Sequence, residues 1–319
     1  MLRVDQAGLL VTVQDLGRPG YQHYGVPVSG ALDAFALRAA NLLVGNAPDA
    51  AGLEVGLGGL TLTALADGVW SITGAAPLAV TVNDQPRPLW TALYVRARQT
   101  LQVHQPAGGW AYLAVRGGLA VPLVLGARAT YLRGGFGGWQ GRPLQAGDRL
   151  PIGSPPDGRA PADLAGRTLA ASARPVYGAA AVVEVVLGPQ SERFHAGAEA
   201  TFLASEYAVR VDSDRMGFRL DGPAVPPDNA DLISEGMPVG AIQVPADGRP
   251  ILMLADGPPT GGYPKIATVA RADLPLVAQC PPGQGQLRFR AVAVADAQAK
   301  YRAQLAALRH IEDPDTWPG

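Results

Sequence analysis

Apolar and polar positions alternate in short runs along most of the chain. Between residues 53 and 118 the runs LEVGLGGLTLTAL, VWSIT, LAVTV, ALYVRA, LQVHQ and WAYLAVRGG are rich in Val, Leu, Thr and aromatic residues, and they break at Asn83-Asp84, Pro86, Pro88 and Gly108-Gly109. Runs that recur every eight to twelve residues or so between such turn signals predict the strands of an all-β sandwich or barrel. Residues 9–13 (LLVTV) read as an earlier strand, closed by the polar turn at 14–20. The period then changes. Leu32, Phe35, Ala39 and Leu42 share one helical face, which predicts a helix over about residues 31–44. Ser29 is expected to cap it and Asp33 to sit in its first turn, where the helix dipole favours negative charge; Gly45-Asn46 and Pro48 stop it.

Residues 151–175 lose periodicity and gain Pro, Gly, Ala and Ser, the composition of a linker. Strand patterns resume at VVEVVLGPQ (182–190) and continue through YAVRV, GFRLDGP, GAIQVP and PILML. A second helix is expected over about residues 296–310, with Tyr301, Leu305 and Leu308 on its apolar face. The expected fold is mainly β with a few helices. It divides into an N-terminal β domain (1–165), a C-terminal β domain (176–292) and a C-terminal helix and tail (293–319).

Composition agrees with a globular chain of roughly two domains. Hydrophobic residues make up 48% and charged residues 17%. A formal net charge of −1 leaves no basic footprint for nucleic acid or an anionic membrane. No run approaches the roughly eighteen apolar residues of a membrane span, and the N-terminus lacks a signal-peptide pattern, so a cytoplasmic location is expected. The single cysteine, Cys280, excludes an internal disulfide and a cysteine-based metal cluster.

Several kinds of chemistry fail on spacing. Pro264 precedes Lys265 where a phosphate-cradling loop needs glycine, and Gln140 replaces the last glycine of a dinucleotide fingerprint in GFGGWQ at 135–140. There is no G-x-S-x-G elbow. The histidines, His23, His104, His195 and His310, show no ligand spacing, so no metal site is expected. What remains is the stretch from 232 to 279. Only two of the twenty-six basic residues are lysine, and one of them, Lys265, ends the hexapeptide Thr260-Gly261-Gly262-Tyr263-Pro264-Lys265. Arginine is always protonated, whereas a lysine amine is tunable by its surroundings. Gly261-Gly262 admits close backbone approach, Tyr263 offers a hydroxyl and Lys265 a cation, a combination suited to an anion at a barrel mouth. Nearby turns carry Asp214-Arg215, Ser234-Glu235 and Asp256, with Gln243 in a strand; each alone is also ordinary turn chemistry.

The chain resembles the allophanate hydrolase subunit 2 / KipA family, also called the biotin-dependent carboxyltransferase-like family. The resemblance is carried by VQDLGRPGYQHYGVPVSGALD (13–33), RAANLLVGN (38–46), LRGGFGGWQGRPLQAGD (132–148), SDRMGFRLDGP (213–223), ISEGMPVGAIQVPADGRPI (233–251), TGGYPKIATV (260–269) and ADLPLVAQ (272–279). It implies two cyclophilin-like β-barrel domains. It further implies work as the C subunit of an ATP-dependent 5-oxoprolinase, opening 5-oxoproline to glutamate with a KipI/PxpB-like and a PxpA-like subunit. ATP would then be used by the complex, with no cofactor bound by this chain. Two alternatives follow from the same family: a carboxyltransferase subunit of a urea-carboxylase-type system, which would bring in biotin, and a KipA-like regulator of a KipI-type kinase inhibitor. No biotin-carrier Met-Lys pair, ATP-grasp-like region or amidase-type Ser-Ser-Lys arrangement is written in the chain. The resemblance makes Lys265 and Tyr263 the candidate catalytic residues. Asp33, Arg215, Glu235, Gln243, Thr260, Gly261 and Gly262 are the candidate pocket.

Overall fold

The computed structural model describes residues 1–104, 109–188 and 190–312. Gln105 and Gly108 of the expected strand and turn, Pro189 after the 182–188 run, and the tail beyond residue 312 lie outside the described residues. The chain is mainly β and forms two compact units. Unit 1 comprises Met1–Arg18, Ser29–Pro175 and the chain from Leu305; unit 2 comprises Pro19–Val28 and Val176–Gln304.

Unit 1 contains strands β1 (Leu2–Ala7) and β2 (Val11–Gln14), helix α1 (Ala34–Leu43), and strands β3 (Gly52–Val55), β4 (Leu60–Ala64), β5 (Gly68–Gly74), β6 (Val80–Val82), β7 (Gln85–Pro86), β8 (Thr91–Val95), β9 (Thr100–Val103), β10 (Ala111–Val115) and β11 (Arg149–Leu150). Helix α2 (Pro161–Leu164) and strand β12 (Thr168–Leu169) follow. One sheet runs β11-β1-β4-β9-β6-β7; the other runs β2-β3-β10-β5-β8-β12 and ends on residues 311–312. Leu2, Leu62 and Leu101 of the first sheet share a core with Leu53, Trp70, Ile72 and Leu113 of the second. The second sheet is covered on its other face as well, where Ala40 and Leu43 of α1 and Leu164 of α2 meet Val69, Ala92 and Ala114. This explains why all five residues of β10 are buried and read as a continuous apolar run rather than an alternation.

The expected helix is present but starts later and is capped differently. Asp33 is the cap: its carboxylate accepts the Ala36 N–H at 2.8 Å. Ser29, the expected cap, instead lies in the left-handed region (φ 56°). There the chain is tied back to the 15–18 turn by the Ala31 N–H donating to the Asp15 carbonyl at 2.9 Å. Part of the expected linker is ordered into α2 and β12.

Unit 2 is built on β13 (Ala180–Leu187), α3 (Ala198–Ala204), β14 (Glu206–Val209), β15 (Gly217–Asp221), β16 (Glu235–Gly236), β17 (Ala241–Gln243), β18 (Ile251–Met253), β19 (Thr260–Gly261), β20 (Lys265–Val269), α4 (Leu274–Ala278) and β21 (Gln286–Ala291). Seven of these strands close a barrel in the order β13-β20-β17-β18-β15-β14-β21, completed by the parallel pairing of β13 with β21. Alternation is clean on β21: Leu287 and Phe289 are buried, Arg288 and Arg290 exposed. Phe289 stacks on Phe202 of α3 with ring centroids 4.6 Å apart. The two-stranded ribbon β16–β19 stands outside the barrel order. Helix α5 (Val294–Ala307) follows the barrel. Among the described residues, no helix is long and apolar enough to cross a membrane.

Candidate anion-binding site

Lys265 opens β20, directly after the buried Pro264. The barrel register sets Gln243 of β17 opposite it, with an irregularity between Ile242 and Gln243. The lysine side chain is 7% exposed, so its stem is fixed by the barrel, and its Nζ donates to Glu235 Oε1. Gln190 completes the arrangement. Its Oε1 accepts the Lys265 backbone N–H at 2.8 Å, and its Nε2 donates to the same Glu235 oxygen. A buried ammonium and a buried carboxamide thus converge on one carboxylate oxygen, each through a charge-assisted hydrogen bond.

Two glycines make the approach possible. Gly188 donates its N–H to the Ile266 carbonyl at 2.8 Å, and a Cβ there would lie 2.2 Å from the Lys265 carbonyl oxygen. Only a residue without Cβ brings the Gln190 segment this near β20. At Gly261 a Cβ would lie 2.4 Å from the Met237 methyl and 3.1 Å from Gln243 Oε1, so this glycine fills the gap between them.

Glu235 is carried by a surface strap. β16 pairs with β19, Glu235 facing Gly261 and Gly236 facing Thr260. The strap is pinned further by the Leu232 N–H on the Gly262 carbonyl at 3.0 Å and the Met237 N–H on the Pro259 carbonyl at 2.8 Å. Hydrogen bonds from Lys265 and then Gln190 hold the Glu235 carboxyl below the usual carboxylate range, and the charge of Arg193 acts in the same direction. Thr260 and Tyr263 are exposed. A small cleft of about 50 Å³ beside the ribbon is lined by Met237, Met253, Pro258 and Pro259 among others.

The remaining candidates are placed differently. The Asp214-Arg215 neighbours do not act as a pair. Asp214 accepts the Met216 N–H at 2.8 Å, while Arg215 forms a buried two-pronged ion pair with Asp256 at 2.8 and 3.3 Å. That pair, with the Asp256 N–H on the Arg215 carbonyl at 3.0 Å, anchors the start of the segment leading to Thr260. Asp33 belongs to unit 1, fully buried at the start of α1, where Tyr112 accepts its N–H at 2.8 Å. Gln190 was missed by sequence reasoning. Its contact to Lys265 spans 75 positions, and a lone glutamine behind Gly188-Pro189 has no local signature. No group of three or more His, Cys, Asp or Glu side chains is placed to hold a metal ion among the described residues.

A family model described as the carboxyltransferase domain, subdomains A and B, matches residues 24–291. The chain belongs to this family. It is 38% identical to the C subunit of 5-oxoprolinase from Escherichia coli, covering 98% of this chain and all of that protein. It is 34% identical to the protein of the same name from Haemophilus influenzae, over 95% and 96% of the two chains. The crystal structure of K. lactis urea amidolyase superposes on the whole chain with a TM-score of 0.90 at 29% identity, and the chain spans 20% of that much longer protein.

Proposed function

We propose that this chain is the C subunit of an ATP-dependent 5-oxoprolinase. The observation that carries the reading is end-to-end similarity to proteins of that name, at 38% and 34% identity. In this reading the chain acts with A-type (PxpA-like) and B-type (KipI/PxpB-like) subunits, is inactive alone, and the complex uses ATP. Opening a lactam develops negative charge on the carbonyl oxygen, and its substrate carries a carboxylate throughout. Lys265 supplies the buried cation for one of these anions, Gln190 a second donor, and Tyr263 an exposed hydroxyl at the rim. Preorganised donors of this kind typically account for about 10²–10³ in rate. Reconstitution with the A and B subunits, 5-oxoproline and ATP tests the reading through glutamate release. Lys265→Ala is expected to cut turnover by about two orders of magnitude; near-normal turnover overturns the role given to Lys265, and absence of any turnover by the wild-type complex overturns the reading.

The likeness to urea amidolyase favours a second reading, a carboxyltransferase subunit of a biotin-dependent system. Carboxylated biotin would supply a transferable carboxyl group, and Lys265 with Gln190 already holds a carboxylate, so these residues fit it. Co-purification with a biotinylated carrier protein supports this reading, and strict dependence of activity on an oxoprolinase A subunit excludes it.

A further inference from the structure

The site at Lys265 is filled by the protein itself. Glu235 occupies both outward-facing donors, Lys265 Nζ and Gln190 Nε2. The three partners are unequal in a way that a purely structural ion pair does not require. Lys265 is fixed in the barrel wall, and Gln190 is locked through its other amide end onto the Lys265 N–H. Glu235, in contrast, has a side chain 41% exposed on a two-residue strand. Its strap is turned to solvent: Ile233 is 92% exposed, and nothing lies within 4 Å of where a Cβ on Gly236 would point. The donors are therefore rigid and the acceptor is the movable part.

We propose that Glu235 is a resident stand-in for a ligand carboxylate. A small organic carboxylate displaces it and takes the same two donors, with Lys265 and Gln190 unmoved. A seat that holds a side-chain carboxylate in the free protein is, by its donor set, a carboxylate seat. The exchange conserves the number of charge-assisted hydrogen bonds, so it costs little beyond turning one glutamate side chain outward. A tethered competitor acts at an effective concentration of about millimolar or more, which weakens binding of the free ligand until the competitor is removed. The inference rests on the proposed function only in naming 5-oxoproline as the natural carboxylate.

The full-length chain is titrated calorimetrically with acetate, with 5-oxoproline and with the uncharged amide of 5-oxoproline. Glu235→Gln is expected to tighten binding of both carboxylates by at least about tenfold, to leave the amide unchanged, and to lose the gain when Lys265→Met is added. Glu235→Ala is the second variant. Should either prove destabilised, the rise in melting temperature with added carboxylate, compared with wild type, gives the same readout. Carboxylate affinity equal to or below wild type in both variants overturns the exchange, even if reconstituted oxoprolinase turnover is normal. A gain for acetate and 5-oxoproline in a chain that supports no oxoprolinase turnover leaves the exchange standing and removes the functional reading. A gain for acetate alone confirms the seat and removes 5-oxoproline as its occupant.

Discussion

Lys265 shows how far a single residue was legible. Its scarcity value and its Gly-Gly-Tyr-Pro setting marked it, and Glu235 and Gln243 could be named from turns and strand patterns. That Glu235 would sit on the lysine amine depends on the pairing of β16 with β19 outside the barrel, and the part played by Gln190 on the close approach of Gly188 to β20; neither has a trace in local sequence. The steric demand of that approach gives a prediction. Gly188→Ala places a methyl group against the Lys265 carbonyl, so the segment must withdraw; stability is expected to fall by about 1–3 kcal/mol, measured by urea unfolding. A second residue-scale prediction concerns Cys280. It is fully buried, and burial pushes its thiol up to about 12. At pH 8 it is expected to resist a disulfide-exchange reagent in the native protein and to react fully once unfolded, read by absorbance.

At the scale of elements, α1 and α5 contrast. The helix of α1 was plain in the sequence, but its stripe is realised only in part: Phe35 and Ala39 are buried, Leu32 precedes the helix and Leu42 is half-buried; the cap also moves, because Ser29 is needed in a turn and Asp33 stands one residue before the first helical position. For α5 the expected stripe of Tyr301, Leu305 and Leu308 is only partly realised. Leu308, one residue past the helix end, is 5% exposed, whereas Tyr301 and Leu305 are half-buried. Polar contacts fasten the helix to the barrel instead. Lys300 Nζ reaches Asp273 at 2.7 Å and Glu184 at 3.0 Å, and Gln304 Nε2 donates to the Ala272 carbonyl at 2.8 Å. Contacts of this kind have no periodicity to find. Lys300→Met is expected to cost roughly 1–3 kcal/mol by thermal unfolding, since it leaves the buried Asp273 carboxylate with the Glu184 N–H but without its cation. Burial pushes the Glu184 carboxyl up, but hydrogen bonds from Lys300 and Arg290 more than reverse this and hold it below its ordinary 4.5. Burial likewise pulls the Lys300 ammonium down, and its bonds to Asp273 and Glu184 lift it above 10.5. A depressed carboxyl stabilises fully above its unfolded value and loses this as pH falls through the folded one; a raised ammonium stabilises fully below its unfolded value. The stabilisation by this pair is therefore expected to be complete between about pH 4.5 and 10.5 and to decline outside that window. Unfolding of wild type and Lys300→Met across pH should converge at the acid end.

At the scale of the whole molecule, the two β-rich halves were visible from turn spacing, and the family's motifs run through both. The threading was not visible. Residues 19–28 belong to unit 2 although unit 1 flanks them on both sides, and the chain from Leu305 returns to unit 1. Short segments that change unit leave the local pattern unaltered, so the strand arithmetic could not register them. Residues 311–312 extend the edge of unit 1 beside β12, and Leu308 is buried there. Truncation after Gln304 is accordingly expected to lower the melting temperature, with Leu308 alone contributing about 1.5–3 kcal/mol, checked by calorimetry on the shortened chain.

The two lysines, taken together, make the molecule unusually addressable by amine chemistry. One ammonium is shielded by Glu235 and the other is braced but 40% exposed, so a limiting acylating reagent reaches Lys300 ahead of Lys265 in the resting protein. Modification at Lys265, read by peptide mass mapping, then becomes a clock for how often the glutamate swings away, recorded without any ligand present.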